Sequence, residues 1–170
     1  MSTSAILDGM LTTVAPVTPA HDAFEQVAAL FDDYRAHYGQ PPSAQRTRAW
    51  LQEQLAQRRI AVAAAIRAEH VCGFITTAIT PASLMLGAAW SIRDLYVDPH
   101  HRRSGIAKTL LQHVVDEARA AGAHRVSLQT EVDNIPARSL YAEVGFQPVS
   151  GLELFNLTLA PNHQESDISG

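Results

Sequence analysis

One run limits what this chain can fold into: Arg93-Asp94-Leu95-Tyr96-Val97-Asp98-Pro99-His100-His101-Arg102-Arg103-Ser104-Gly105-Ile106-Ala107-Lys108. It reads as a strand that stops at Pro99, a short basic loop, and the first turn of a long helix. Apolar residues recur at Ile106, Ala107, Leu110, Leu111, Val114, Val115 and Ala118, which is helical spacing with one apolar face. The opposite side carries Gln112, Asp116 and Arg119, and Ala121-Gly122 supplies a glycine stop. A strand that feeds a helix through a tight basic loop demands a mixed α/β fold.

The junction has a chemical bias. The first N–H groups of a helix have no intrahelical partner, and the helix dipole makes that end positive. Gly105 lets a ligand approach the backbone closely, and Arg102, Arg103 and Lys108 add full charge. Such a place suits a polyanion, most naturally a pyrophosphate. The same residues also suit an ordinary basic helix start, and the run alone leaves both readings open.

The context decides between them. Arg102-x-x-Gly105-x-Ala107, after a strand ending Leu95-Tyr96-Val97-Asp98-Pro99, resembles motif A of the GNAT superfamily of acetyl-CoA-dependent N-acetyltransferases. Downstream, Asn134-x-x-Ala137-x-x-x-Tyr141-x-x-x-Gly145-Phe146 is similar to that family's second landmark. The resemblance covers residues 60 to 159 well and the first third loosely. It implies an α/β fold with a mostly antiparallel mixed sheet of about seven strands and about four helices.

Elsewhere the elements come from periodicity. Leu11 to Val17 reads as a strand ending before Pro19. A helix follows from about His21 to Tyr38, with Asp22 near its cap. Gly39-Gln40-Pro41-Pro42 breaks it, and Ser43 caps a second helix through about Gln57. Ile60 to Ile66 and Val71 to Thr80 are strands joined at Ala68-Glu69-His70. Pro81 to Gly87 is a loop and Ala88 to Val97 the next strand. After the motif helix come a strand from His124 to Glu131, a short helix starting at Asp133-Asn134 with Pro136 in its first turn, and strands at Phe146 to Pro148 and Leu152 to Leu159. Residues 1–10 and 161–170 read as loose tails on a single domain spanning 1–170.

Composition narrows the partners. A formal net charge of −4 disfavours nucleic acid. The single cysteine, Cys72, excludes an internal disulfide and a cysteine metal cluster, and it fits a small buried apolar role. The eight histidines show no metalloprotease-like spacing, so no metal is expected. The start lacks a basic region followed by an apolar run, and no segment approaches membrane-spanning length, so a cytoplasmic protein without a membrane partner is expected.

The resemblance assigns tasks to particular residues. The amides of Arg103, Ser104, Gly105, Ile106, Ala107 and Lys108, with Arg102 beside them, would hold the pyrophosphate of acetyl-CoA. Backbone groups of Leu95, Tyr96 and Val97 would pair with the pantetheine arm as one strand with another. Tyr141 would protonate the leaving thiolate, and Asn134, about two helical turns earlier, would bond the same arm or cap its helix. Asp94 is the candidate base or amine anchor, since an alkyl ammonium with pKa about 10.4 must lose a proton before it attacks. A structural acceptor role for Asp94 stays open, and Glu131 and Glu69 are further candidates. The string Arg93-Asp94-Leu95-Tyr96-Val97 is similar to the Glu-Asp-Phe-Phe-Val stretch of diamine acetyltransferases. Arg93 in place of the first acid argues against a polyamine and for an acceptor that also bears a carboxylate. Tyr34 and Tyr38 lie in a candidate substrate lid or, equally, in an aromatic core stripe. The expected reaction is acetyl transfer to a primary amine of a small molecule. A protein amine and a non-catalytic acyl-CoA sensor are the alternatives. The family's tendency to dimerise would use the terminal strands.

Overall fold

Small and β-branched residues are frequent in four segments, and these pair side by side into an antiparallel sheet. The computed structural model describes residues 11–159. Strand β1 (Thr13–Val17) pairs with β2 (Ala61–Arg67), β2 with β3 (His70–Ala82), and β3 with β4 (Gly87–Val97), all antiparallel. A short β5 (Arg125–Ser127) joins β4 in parallel. A parallel neighbour needs a crossover, and here the crossover is the motif helix α3 (Ile106–Ala120). Helices α1 (Phe24–His37) and α2 (Ala44–Ala56) lie between β1 and β2, and α4 (Ile135–Val144) follows β5.

Period-two alternation sends successive strand residues to opposite faces of the sheet, and each face has its own core. Phe24, Val27, Phe31 and Leu51 of α1 and α2 pack on Val62, Phe74 and Tyr96. On the other face Ile106, Leu110, Leu111 and Val114 of α3 pack on Ala63, Ala65, Ile75 and Ile92. Each large side chain removed from water there is worth ~1.5–3 kcal/mol. Cys72 is fully buried in the second core, as its apolar role requires.

Several boundaries differ from expectation. The first helix begins at Phe24, not His21; the preceding turn is closed by Ala23 N–H donating to His21 Nδ1 at 3.0 Å, and Asp22 caps nothing. Ser43 does sit at the start of α2, but its side chain makes no capping bond. Its N–H donates instead to the Asp32 carboxylate at 3.0 Å. The same carboxylate accepts from the Thr47 hydroxyl at 2.6 Å and the Arg35 guanidinium at 3.0 Å, so one buried acid on α1 fixes α2.

The sheet has five strands among the described residues, not about seven. The strand expected at His124 to Glu131 covers only Arg125–Ser127, and no strand forms within Phe146 to Leu159. The alternating leucines of that last segment carry the signal of a half-buried strand, but a strand also needs a partner edge. Here Leu152, Leu154, Phe155, Leu157 and Leu159 stay exposed. The expected tails at 1–10 and 161–170 lie outside the described residues.

Candidate functional site

Strand β4 carries one residue more than the β3 segment opposite it. Thr76 faces Asp94 and Thr77 faces Ile92, which leaves Arg93 without a partner. An extra residue of this kind bends and twists a strand, a device common beside active sites. Strand β5 pairs with β4 only as far as Ser127 opposite Ser91. Beyond that point the two chains separate. A cleft of about 180 Å³ opens between Ile92–Leu95 on one wall and Leu128–Glu131 on the other. Tyr34 of α1 and Tyr38 just after it, with Asn134 just before α4 and Tyr141 within it, complete the cleft.

Asp94 is held on both oxygens. One accepts from the Tyr34 hydroxyl at 2.9 Å and the other from the Thr76 hydroxyl in a short bond. A carboxylate offers about four lone-pair sites, so room remains for a further donor from the cleft. Burial, followed by the negative charge of Asp94 and the bond to it, pushes the Tyr34 hydroxyl pKa up. Burial also raises Tyr141, with smaller contributions from Tyr38 and Glu131, so its phenol stays protonated through neutral pH.

The expected site residues divide into three groups. Tyr34, Tyr38, Arg93, Asp94, Asn134 and Tyr141 come together around the cleft. Glu131 joins them, whereas Glu69 lies in the β2–β3 turn with its carbonyl bonded to Gln26. Asn134 also caps α4, its side-chain oxygen accepting from Ala137 N–H at 3.2 Å. Tyr34 lines the cleft and at the same time belongs to an aromatic cluster with Phe31, Phe74 and Tyr96, the geometry of a core stripe.

The second group is the turn before α3. Arg103 and Gly105 adopt positive φ, 60° and 79°, and α3 begins directly after Gly105. Among the described residues, the N–H groups from Arg103 to Lys108 donate to no backbone carbonyl. A Cβ built at Gly105 would meet nothing within 4 Å, so the approach is open. Unspent donors at a helix start fit a pyrophosphate. Val97 ends β4 beside this turn, with Leu95 and Val97 packed toward the α3 face and Tyr96 toward the α1 face.

Two basic residues of the motif face elsewhere. Arg102 folds back on β4: its Nε donates to the Val97 carbonyl at 3.2 Å and its guanidinium lies 5.5 Å from the centre of the Tyr96 ring. Lys108 pairs with Glu143 of α4 at 3.1 Å and lines a separate open cleft of about 530 Å³ between β1 and α3. That larger cleft shares no residue with the one around Asp94.

Sequence reasoning missed Thr76, Gln129 and Thr130. The signal for Thr76 was present: Thr76-Thr77 interrupts an apolar run from Val71 to Ala78, and a polar pair inside a buried strand calls for a polar partner.

The sequence profile of the acetyltransferase (GNAT) family matches residues 24–146. An uncharacterized N-acetyltransferase of Bacillus subtilis, YhfO, is 33% identical over 125 residues, which are 74% of this chain and 84% of that protein. A ribosomal protein bS18 alanine N-acetyltransferase of Escherichia coli K12 is 34% identical over a shorter stretch of 53 residues, 31% of this chain and 36% of that one. The crystal structure of a probable acetyltransferase superposes with a TM-score of 0.81 at 28% identity, covering 88% of this chain and 99% of that one.

Proposed function

The chain belongs to the GNAT family of acetyltransferases, and from that premise we propose that it transfers an acetyl group from acetyl-CoA to a primary amine of a small molecule, by direct transfer in a ternary complex. The observation that carries the acceptor class is the cleft. It is about 180 Å³ and lined mainly by polar groups, below the roughly 300–1,000 Å³ typical of sites for drug-sized ligands. A folded protein's terminus or a large polycation fits such a space poorly.

Acetyl-CoA supplies the acetyl thioester. The free N–H groups of Arg103 to Lys108 hold its pyrophosphate, and the end of β4 holds its arm. Asp94, fixed by Tyr34 and Thr76, anchors the acceptor ammonium and takes its proton, which makes the nitrogen nucleophilic. Tyr141, kept protonated by burial, holds the proton destined for the departing sulfur. Orientation of the reacting groups is worth up to ~7–11 kcal/mol, and the two proton transfers each about 10²–10⁴-fold.

The test is acetyl-CoA consumption with free-thiol release against amino acids, diamines, aminoglycosides and peptides. Release driven by a small amine, and reduced ~10²–10⁴-fold in Tyr141→Phe with acetyl-CoA binding retained, supports the proposal. Release driven by peptides alone would transfer it to the protein-amine reading. Tight acetyl-CoA binding without release from any class, and no change in Tyr141→Phe, would favour a sensor.

A further inference from the structure

Resting on the reading of this cleft as the acceptor site, we infer that the acceptor is an amino acid or similar amino-carboxylate, and that Arg93 is the residue that selects its carboxylate. Four observations converge on Arg93. First, it is the unpaired residue of the β4 irregularity. Ile92 packs into the α3 core while Asp94 bonds to Tyr34 of α1, so the strand changes face across this single extra residue. Without it, Ile92 and Asp94 would share a face. The insertion therefore turns Arg93 and Asp94 toward the same cleft, which both line.

Second, Arg93 acts electrically inside the cleft: its charge opposes the rise in the Tyr34 pKa that burial and Asp94 produce. Third, Arg93 is exposed, and its guanidinium makes neither an ion pair nor a hydrogen bond among the described residues. A guanidinium left unpaired at a ligand site presents the fork that matches a carboxylate. Fourth, the cleft is dipolar. Asp94 and Glu131 offer negative charge and Arg93 offers positive charge within one small volume. A diamine places a second cation where Arg93 would repel it. A zwitterion matches both signs.

The test uses amine pairs that differ only in the carboxylate: L-lysine against 1,5-diaminopentane, L-leucine against 3-methylbutylamine, and L-phenylalanine against 2-phenylethylamine. Thiol release should give the carboxylate-bearing member a kcat/KM higher by roughly 10- to 100-fold, the range for a charge-assisted bidentate contact. Arg93→Gln should collapse that ratio, raising KM for the amino acid more than it lowers kcat. Arg93→Lys should restore part of it, which a merely structural role for Arg93 would not predict. Preference for the decarboxylated amines, or a ratio untouched by Arg93→Gln, overturns the inference and leaves a small-amine acetyltransferase standing. Turnover of peptides alone overturns both.

Discussion

Gly73 sits near the start of β3, opposite Ala65 on one side and Val97 on the other. A Cβ added there would lie 2.8 Å from the Tyr96 carbonyl oxygen, 3.2 Å from Ile106 Cγ2 and 3.3 Å from Val97 Cα. Ordinary contact begins at 3.4 Å, so the first of these is 0.6 Å short. The obstacle is backbone inside a paired strand, so it cannot rotate away. Gly73→Ala must push the end of β4 from β3 and the first residue of α3 from the sheet. Overpacking of this kind costs ~1–3 kcal/mol, offset by ~0.4–1 kcal/mol from the stiffer unfolded chain. The net loss is about 1–2 kcal/mol. At roughly 2–4 °C per kcal/mol for a chain of this size, Tm should fall about 2–8 °C. The displaced residues, Val97 and Ile106, border the proposed cofactor site. The KM for acetyl-CoA should therefore rise severalfold while the acceptor KM moves less. Calorimetry and initial rates measure both. An unchanged Tm together with an unchanged acetyl-CoA KM would refute the claim that this close approach sets the position of the motif turn.

Other consequences are as direct. Thr76→Val frees one oxygen of Asp94 and should lower kcat/KM for the amine by roughly tenfold, equivalent to ~1.5 kcal/mol for one bond to a charged group, without changing acetyl-CoA binding by calorimetry. Asp32 is held below the usual carboxylate range, first by the Thr47 hydroxyl and then by Ser43 N–H and Arg35. Its depressed pKa contributes stability that is present above about pH 4 and is lost as pH falls through the folded value. Asp32→Asn should thus cost about 1.5–3 kcal/mol at pH 7, with the gap in Tm narrowing below pH 4. Burial lifts the Tyr141 pKa above its ordinary value, so the pH–rate profile should show no basic decline from this group up to about pH 10; a fall near pH 8–9 that disappears in Tyr141→Phe would contradict it. Cys72 is buried and burial raises its thiol, so a thiol reagent should label the folded protein only at the rate of unfolding.

The parts legible in the sequence were those with a local signature. The β4–α3 junction announced itself through Pro99, Gly105 and the helical spacing from Ile106 to Ala118, and the structure places each where that pattern requires. Asn134, Pro136 and Gly145 likewise mark the ends of α4. Non-local geometry was hidden. Nothing in the segment after Ser127 says that it leaves β4, and nothing in Ile92-Arg93-Asp94 says that β4 carries an extra residue against β3. The partners of Asp94 were equally hidden, since Tyr34 lies 60 residues away in sequence and Thr76 lies 18 away. The strand expected at Leu152 to Leu159 does not form, because pairing depends on an edge that local residues do not encode.

The division of the core by the sheet has a consequence for how such a chain diversifies. The helix that follows the motif turn rests on one face, while α1 and α2, which bring Tyr34 and Tyr38 to the cleft, rest on the other. Substitutions distant from one another and without shared neighbours act nearly independently. On the proposed assignment of the site, changes under α1 and α2 would reshape acceptor choice while the α3 face keeps its packing. Strands β2, β3 and β4 each contribute side chains to both cores, and of these β4 also lines the cleft, through Ile92 to Leu95. A library confined to α1, α2 and their loop would then test the proposed acceptor side on an intact α3 face, whereas the same diversity placed in β4 would disturb both at once.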